Sequence, residues 1–274
     1  MSVFDQRGTG TSLLVRLGFA EPAATEQALE RLGLWVDGRP VDDVAAAVVT
    51  AAADAADPDL AVQAVGRLLE VVDDPAGLRD ALRGHEGLRT RLLGVLGTSA
   101  ALGEHLLTHP ADWQALLDDD LVTARPSRHG LQSTLLAAVR APAGEPLPWG
   151  TGGARAGLTG TAAVEALRAA YRRCLLELAA RDVAGAVAVE DVGGELADLA
   201  GATLSAGLAV ALATLPPDAA PCRLAVIGMG KCGGRELNYV SDVDVVSSPR
   251  LLTAVATGLA TTPRSGRPPG SPPS

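Results

Sequence analysis

R-L-A-V-I-G-M-G-K-C-G-G-R-E-L-N-Y-V-S-D-V-D-V-V, Arg223 to Val246, is the stretch on which the reading of this chain turns. Leu224, Val226 and Ile227 form a short apolar run that predicts a buried strand. Gly228, Gly230, Gly233 and Gly234 follow as a glycine-rich loop; they tolerate positive φ and leave backbone N–H groups uncovered for an anion. Lys231 sets a mobile point charge among them. Asp242 and Asp244 open a second strand one residue apart, and a period of two directs both to one face. Paired carboxylates repel unless a cation lies between them, and oxygen-only ligation suits Mg²⁺ carrying nucleotide phosphates. The expectation is a site for a metal–nucleotide complex, with Asp242 and Asp244 as metal ligands.

Two look-alikes fail. Gly228-Met229-Gly230-Lys231-Cys232-Gly233 satisfies G-x-G-x-x-G after a strand, but a dinucleotide-binding unit needs a full helix before the next strand. Only residues 234–241 separate the glycines from Asp242, too few for a parallel crossover. A P-loop fails as well, because Cys232 stands where Ser or Thr should follow the lysine.

The rest of the chain sets this stretch apart. Its only Lys (Lys231), Ile (Ile227) and Asn (Asn238), and its only internal Met (Met229), all fall here. These residues need AT-containing codons, in a chain otherwise rich in Ala, Gly, Pro and Arg.

G-M-G-K-C-G-G-R-E-L-N-Y-V-S-D-V-D resembles the active-site signature of the glutamine synthetase adenylyltransferase/adenylyl-removing family, within the polymerase-β-like nucleotidyltransferases. Ser99–Trp113 and Leu167–Asp182 carry weaker matches. The resemblance implies a mainly α chain with a partial α/β end: a helical N-terminal region, then the first strands of a nucleotidyltransferase domain. It implies addition or removal of AMP on glutamine synthetase, the N-terminal unit of the family working by phosphorolysis. Mg²⁺ would be the cofactor, with ATP or ADP and phosphate as substrates. A PII-type nitrogen signalling protein is a further implied partner. By the same resemblance Asp242 and Asp244 are catalytic, Gly230, Lys231, Gly233, Gly234 and Ser241 bind phosphate, and Glu236 and Asn238 brace the loop. The match covers only the beginning of the first of two catalytic units, so a truncated or frame-shifted member is expected. The rival reading is a non-catalytic helical module that docks a partner.

A chain of 274 residues can hold one large domain or two ordinary ones. Hydrophobic residues are 47% and aromatics 3%, which predicts an Ala/Leu/Val core of packed helices. A net charge of −9 argues against a nucleic-acid binder. Cys174, Cys222 and Cys232 are an odd set without a C-x-x-C pair, as expected of free thiols in the cytoplasm. The uncharged span 199–217 reads as a buried helix and not as a membrane segment.

In chain order, the expected helices run over 23–32, 42–56, 60–72, 75–83, 85–96 and 99–109. Asp59 and Asp74 are the expected caps for two of these, Ser99 for the last, and Pro110 the stop. His105 and His109, four apart, lack the H-E-x-x-H order of a zinc site and read as structural. Helix 127–140 closes a helical region 1–140, and 141–160 is a Pro/Gly-rich loop containing Trp149. A second region, 161–246, begins with an amphipathic helix whose Val164, Leu167, Tyr171, Leu175 and Leu178 face inward. Its Arg168, Arg172, Arg173 and Arg181 form a solvated face or supply one phosphate contact. From Ser247 to Ser274 the composition predicts disorder, with Pro249 interrupting the strand.

Overall fold

A computed structural model describes residues 9–122, 124–142, 153–216, 218–219 and 222–251. The chain is mainly α. Helices α1 (Gly10–Arg16), α2 (Pro22–Arg31), α3 (Asp43–Ala53), α4 (Pro58–Val71), α5 (Pro75–Gly84), α6 (Glu86–Leu96) and α7 (Ala100–Thr108) come first. Two 3₁₀ turns follow, Pro110–Leu117 and Asp119–Val122; Pro110 therefore ends α7 but opens a new turn. Then come α8 (Arg128–Ala138), α9 (Gly160–Val183) and α10 (Val189–Thr214).

Side-chain caps set most of these starts. Asp74 accepts from the Gly77 amide at 2.8 Å and Ser99 from the Leu102 amide at 3.3 Å. For α4 the cap is Asp57, accepting from the Leu60 amide at 2.9 Å, and not the expected Asp59. Asp59 lies inside the first turn and is buried, taking the Ala20 amide at 2.7 Å and the Thr25 hydroxyl. An acidic residue on either side of Pro58 satisfies the local rule; a contact 39 residues away decides between them.

Beyond the two 3₁₀ turns, two elements of the N-terminal region were not expected. One is α1. The other is a hairpin of β1 (Trp35–Val36) and β2 (Arg39–Pro40), turned by Asp37-Gly38 with φ of 48° and 76°. That dipeptide is the preferred type I′ turn.

The largest apolar core joins α1 to α7 with Leu176, Ala179 and Ala180 of α9. It is built almost wholly of Leu, Val and Ala, as the composition requires. A second core joins α8, α9 and α10 (Leu131, Leu135, Cys174, Leu199, Ala202), and a third joins α9 and α10 to Leu237. Part of the Pro/Gly-rich stretch is docked here: the Ala156 amide donates to the Ala209 carbonyl at 3.0 Å, and that of Gly157 to Val139 at 3.1 Å. Trp149 lies outside the described residues.

The inward face of α9 differs from the expected one. Val164 is exposed, whereas Arg181 is 2% exposed. By length and composition alone α10 could cross a membrane. Its N-terminal half is instead enclosed by protein and carries Glu195 and Asp198, both buried.

The chain ends its described part in β3 (Cys222–Gly228), a short helix α11 (Gly230–Gly234) and β4 (Val245–Leu251). The strands are antiparallel, with Gly228 opposite Val245 and Leu224 opposite Pro249. Two expectations fail here. β3 is not buried: Leu224, Val226 and Ile227 are all exposed, as are Val245 and Val246 of β4. An apolar run records what a strand could bury, and among the described residues no second layer covers this pair. Nor does Pro249 break the strand, which runs on to Leu251. The Met229 amide donates to the Asp244 carbonyl at 2.8 Å, and antiparallel pairs alternate between bonded and non-bonded. Counting along the register puts Leu224–Pro249 at a non-bonded pair, where the missing N–H of proline faces away from β3. Residues 252–274, the remainder of the segment expected to be disordered, lie outside the described residues.

Candidate active site

The glycines form a helical turn, not an open loop. Met229 extends the ladder with β4, and Gly230 enters α11 at φ 51°. Gly230, Lys231 and Cys232 are the first turn, whose N–H groups have no intrahelical partner. The Gly233 amide is taken by the Met229 carbonyl at 3.0 Å and the Glu236 amide by that of Lys231 at 2.8 Å. Gly233 is required sterically, because a Cβ there would collide with the Gly228 carbonyl oxygen.

Around this turn the structure gathers some of the expected residues. A Cβ on Gly230 would lie 3.5 Å from Asp244 Oδ2, so that carboxylate stands over the start of α11. The exposed Lys231 ammonium is 3.5 Å from Asn238 Oδ1. Ser241 is half-buried and Asp242 exposed, both in the coil ahead of β4; the second strand opens at Val245, after the two aspartates. Gly234 closes the turn, with the Glu236 carboxyl beside it. Among the described residues no group of three His, Cys, Asp or Glu side chains converges as a metal site. Mg²⁺ is ordinarily held by one or two carboxylates plus the phosphates of its nucleotide, and the Asp244 carboxylate over the turn could supply one of them.

Three of the four arginines of α9, Arg168, Arg173 and Arg181, are engaged with carboxylates. Arg181 is buried against Glu195 of α10, with Nη1 3.2 Å from Oε2 and Nη2 closing on Oε1. Arg173 pairs with Glu177 and Asp112 at 3.4 Å each, and Arg168 with Glu165 at 3.5 Å.

What the sequence reading missed is how the turn is anchored. Arg235, in the left-handed region at φ 60°, grips Asp198 with Nη1 to Oδ1 at 2.7 Å and Nη2 to Oδ2 at 2.8 Å. The hydrogen bond from Arg235 holds the Asp198 carboxyl below its ordinary range despite burial. Leu237 is buried among Leu178, Val192 and Leu196. Tyr239 donates to Asp182 Oδ2 at 2.9 Å, and burial together with that partner pushes its phenol up. One signal for this was present: Gly193-Gly194 inside a helix.

Residues 89–250 match the family model described as glutamate-ammonia ligase adenylyltransferase, a span that contains the whole candidate site. The chain is 46% identical over 250 residues to the bifunctional glutamine synthetase adenylyltransferase/adenylyl-removing enzyme of Streptomyces avermitilis, covering 90% of this chain and 22% of that protein. The protein of the same name from Nocardia farcinica is 45% identical over 253 residues, and that from Mycobacterium tuberculosis 40% over 238. The chain spans 24% and 22% of their lengths.

Proposed function

The chain belongs to the glutamate-ammonia ligase adenylyltransferase family, and from that membership we propose that it carries the nucleotide-binding turn of a unit that adds or removes AMP on glutamine synthetase. The observation behind this reading is a juxtaposition. An exposed lysine, first-turn amides of α11 that lack intrahelical partners and the Asp244 carboxylate lie at one end of a single hairpin. In this reading the amides of Gly230, Lys231 and Cys232 and the Lys231 ammonium receive phosphate oxygens. Gly233 and Gly234 keep the turn tight enough for that approach, and Ser241 adds a hydrogen bond. Asp242 and Asp244 hold Mg²⁺, which when bound neutralises charge on the transferred phosphoryl group. Asn238 keeps Lys231 near the turn. The substrates are ATP, or phosphate with the adenylylated enzyme in the phosphorolytic direction. A PII-type protein as regulator and a cytoplasmic setting belong to the same proposal.

One observation favours the rival reading of a docking module: the apolar residues of β3 and β4 are exposed. Calorimetric titration with Mg²⁺·ATP separates the two. Saturable heat that disappears in Asp242→Asn/Asp244→Asn supports the nucleotide site. Equal heat in the double variant, or none in the parent chain, removes the site from this turn.

A further inference from the structure

Glycine is disfavoured within helices, yet α10 places two side by side near its start. The structure gives the reason. A Cβ on Gly193 would stand 3.3 Å from both the Arg235 carbonyl oxygen and the Glu236 Cα. A Cβ on Gly194 would stand 3.3 Å from Arg235 Nη2 and 3.2 Å from Arg125 Nη2. The backbone leaving α11 therefore lies directly on the helix. It is pinned there from both sides. Arg235 Nη2 donates to the Gly194 carbonyl at 3.1 Å as well as to Asp198, and Arg128 Nε reaches the same Asp198 at 3.0 Å. Leu237 is then buried, and Tyr239 is tied to Asp182 of α9. Because β3 and β4 are exposed, these contacts over residues 235–239, with Cys232 of α11 packed against the same core, fix the hairpin to the helical body among the described residues.

We propose that Gly193, Gly194 and Asp198 of α10, with Asp182 of α9, are positioning residues: by seating residues 235–239 they fix Lys231 relative to Asp242 and Asp244. This rests on the reading of the turn as a nucleotide site. None of the four is assigned a contact with nucleotide; they act through Arg235 and Tyr239. The seat makes phosphate and metal ligands, which lie on either side of residues 235–239 in sequence, a rigid set instead of two loose ends.

Gly193→Ala distinguishes positioning from mere structural support. It improves helix propensity, so a glycine of no positional use would be replaced with a gain in stability and nothing else. The Arg235–Glu236 backbone cannot yield freely, since Arg235 and Leu237 hold it. In the 274-residue chain the expected result is an unchanged or raised melting temperature, amide exchange over residues 229–244 faster by about tenfold, and weaker Mg²⁺·ATP binding. Asp198→Asn should give the same loosening, and Arg235→Lys an intermediate one, since it keeps one ionic contact. Unchanged exchange over residues 229–244 in both Gly193→Ala and Asp198→Asn overturns the proposal, as does faster exchange with unaltered nucleotide affinity. If the variants loosen the segment but the parent chain binds no Mg²⁺·ATP, the seat stands and the nucleotide reading fails.

Discussion

Gly233 lies so close to Gly228 that its missing side chain is the only one the turn admits: a Cβ would collide with the Gly228 carbonyl oxygen. That carbonyl shares its peptide plane with the Met229 N–H, which donates to the Asp244 carbonyl at 2.8 Å, so it cannot swing aside without breaking that bond. Gly233→Ala should therefore open the β3–α11 corner, at a local penalty of about 1–3 kcal/mol. Hydrogen exchange over residues 222–246 should rise while the peptides of α3 to α6 stay protected. Parent-like exchange in the hairpin would mean that the corner relaxes around the methyl group.

Glu195 and Arg181 are each 2% exposed and face one another across α9 and α10. Arg181 Nε is buried without a partner, so the guanidinium depends on this one carboxylate and on no further acceptor at that nitrogen. Glu195→Ala strands a buried cation and should destabilise by about 3–5 kcal/mol in urea unfolding. Replacing both residues with leucine should cost far less. A Glu195→Ala loss under about 1 kcal/mol would show that water reaches the pair.

His105 is buried, with Nε2 2.9 Å from Asp112 Oδ2 and its ring stacked on His109 at 4.7 Å. Burial lowers its pKa below the ordinary 6.5, against the pull of Asp112. The unfolded chain then takes up a proton near pH 6.5 that the folded chain refuses, so stability should fall as pH drops below that value. His105→Asn should flatten the slope in denaturation midpoints between about pH 7 and 5. An unchanged slope would assign it to other groups.

How much of this was legible depended on how local the cause was. Asp74 and Ser99 cap helices through amides three residues on, and periodicity with those caps gave most helices. The antiparallel return to β4 followed from the few residues available between glycines and aspartates. Asp37-Gly38 was legible too, as a turn signal, and was passed over. Other features have distant causes. Asp59 is claimed by Ala20 and Thr25, and Arg181 by Glu195, so neither its own spacing nor its helix face identifies its role. The exposure of Leu224, Val226 and Ile227 depends on what covers them, which their own apolarity does not encode. In the candidate site the motif supplies the residues proposed to bind phosphate and metal. It does not supply the seat at Gly193, Gly194 and Asp198, because that lies about 40 residues upstream on another helix.

Gly230–Gly234 and Asp242–Asp244 are proposed to form one metal–nucleotide site. Paramagnetic broadening by Mn²⁺·ATP, read on assigned backbone amides, tests it most directly. Mn²⁺ takes the same hard oxygen ligands as Mg²⁺. Selective broadening is expected for amides in residues 229–234 and 241–245, and none in Asp242→Asn/Asp244→Asn. Broadening centred elsewhere, or unchanged in the double variant, would contradict the proposal.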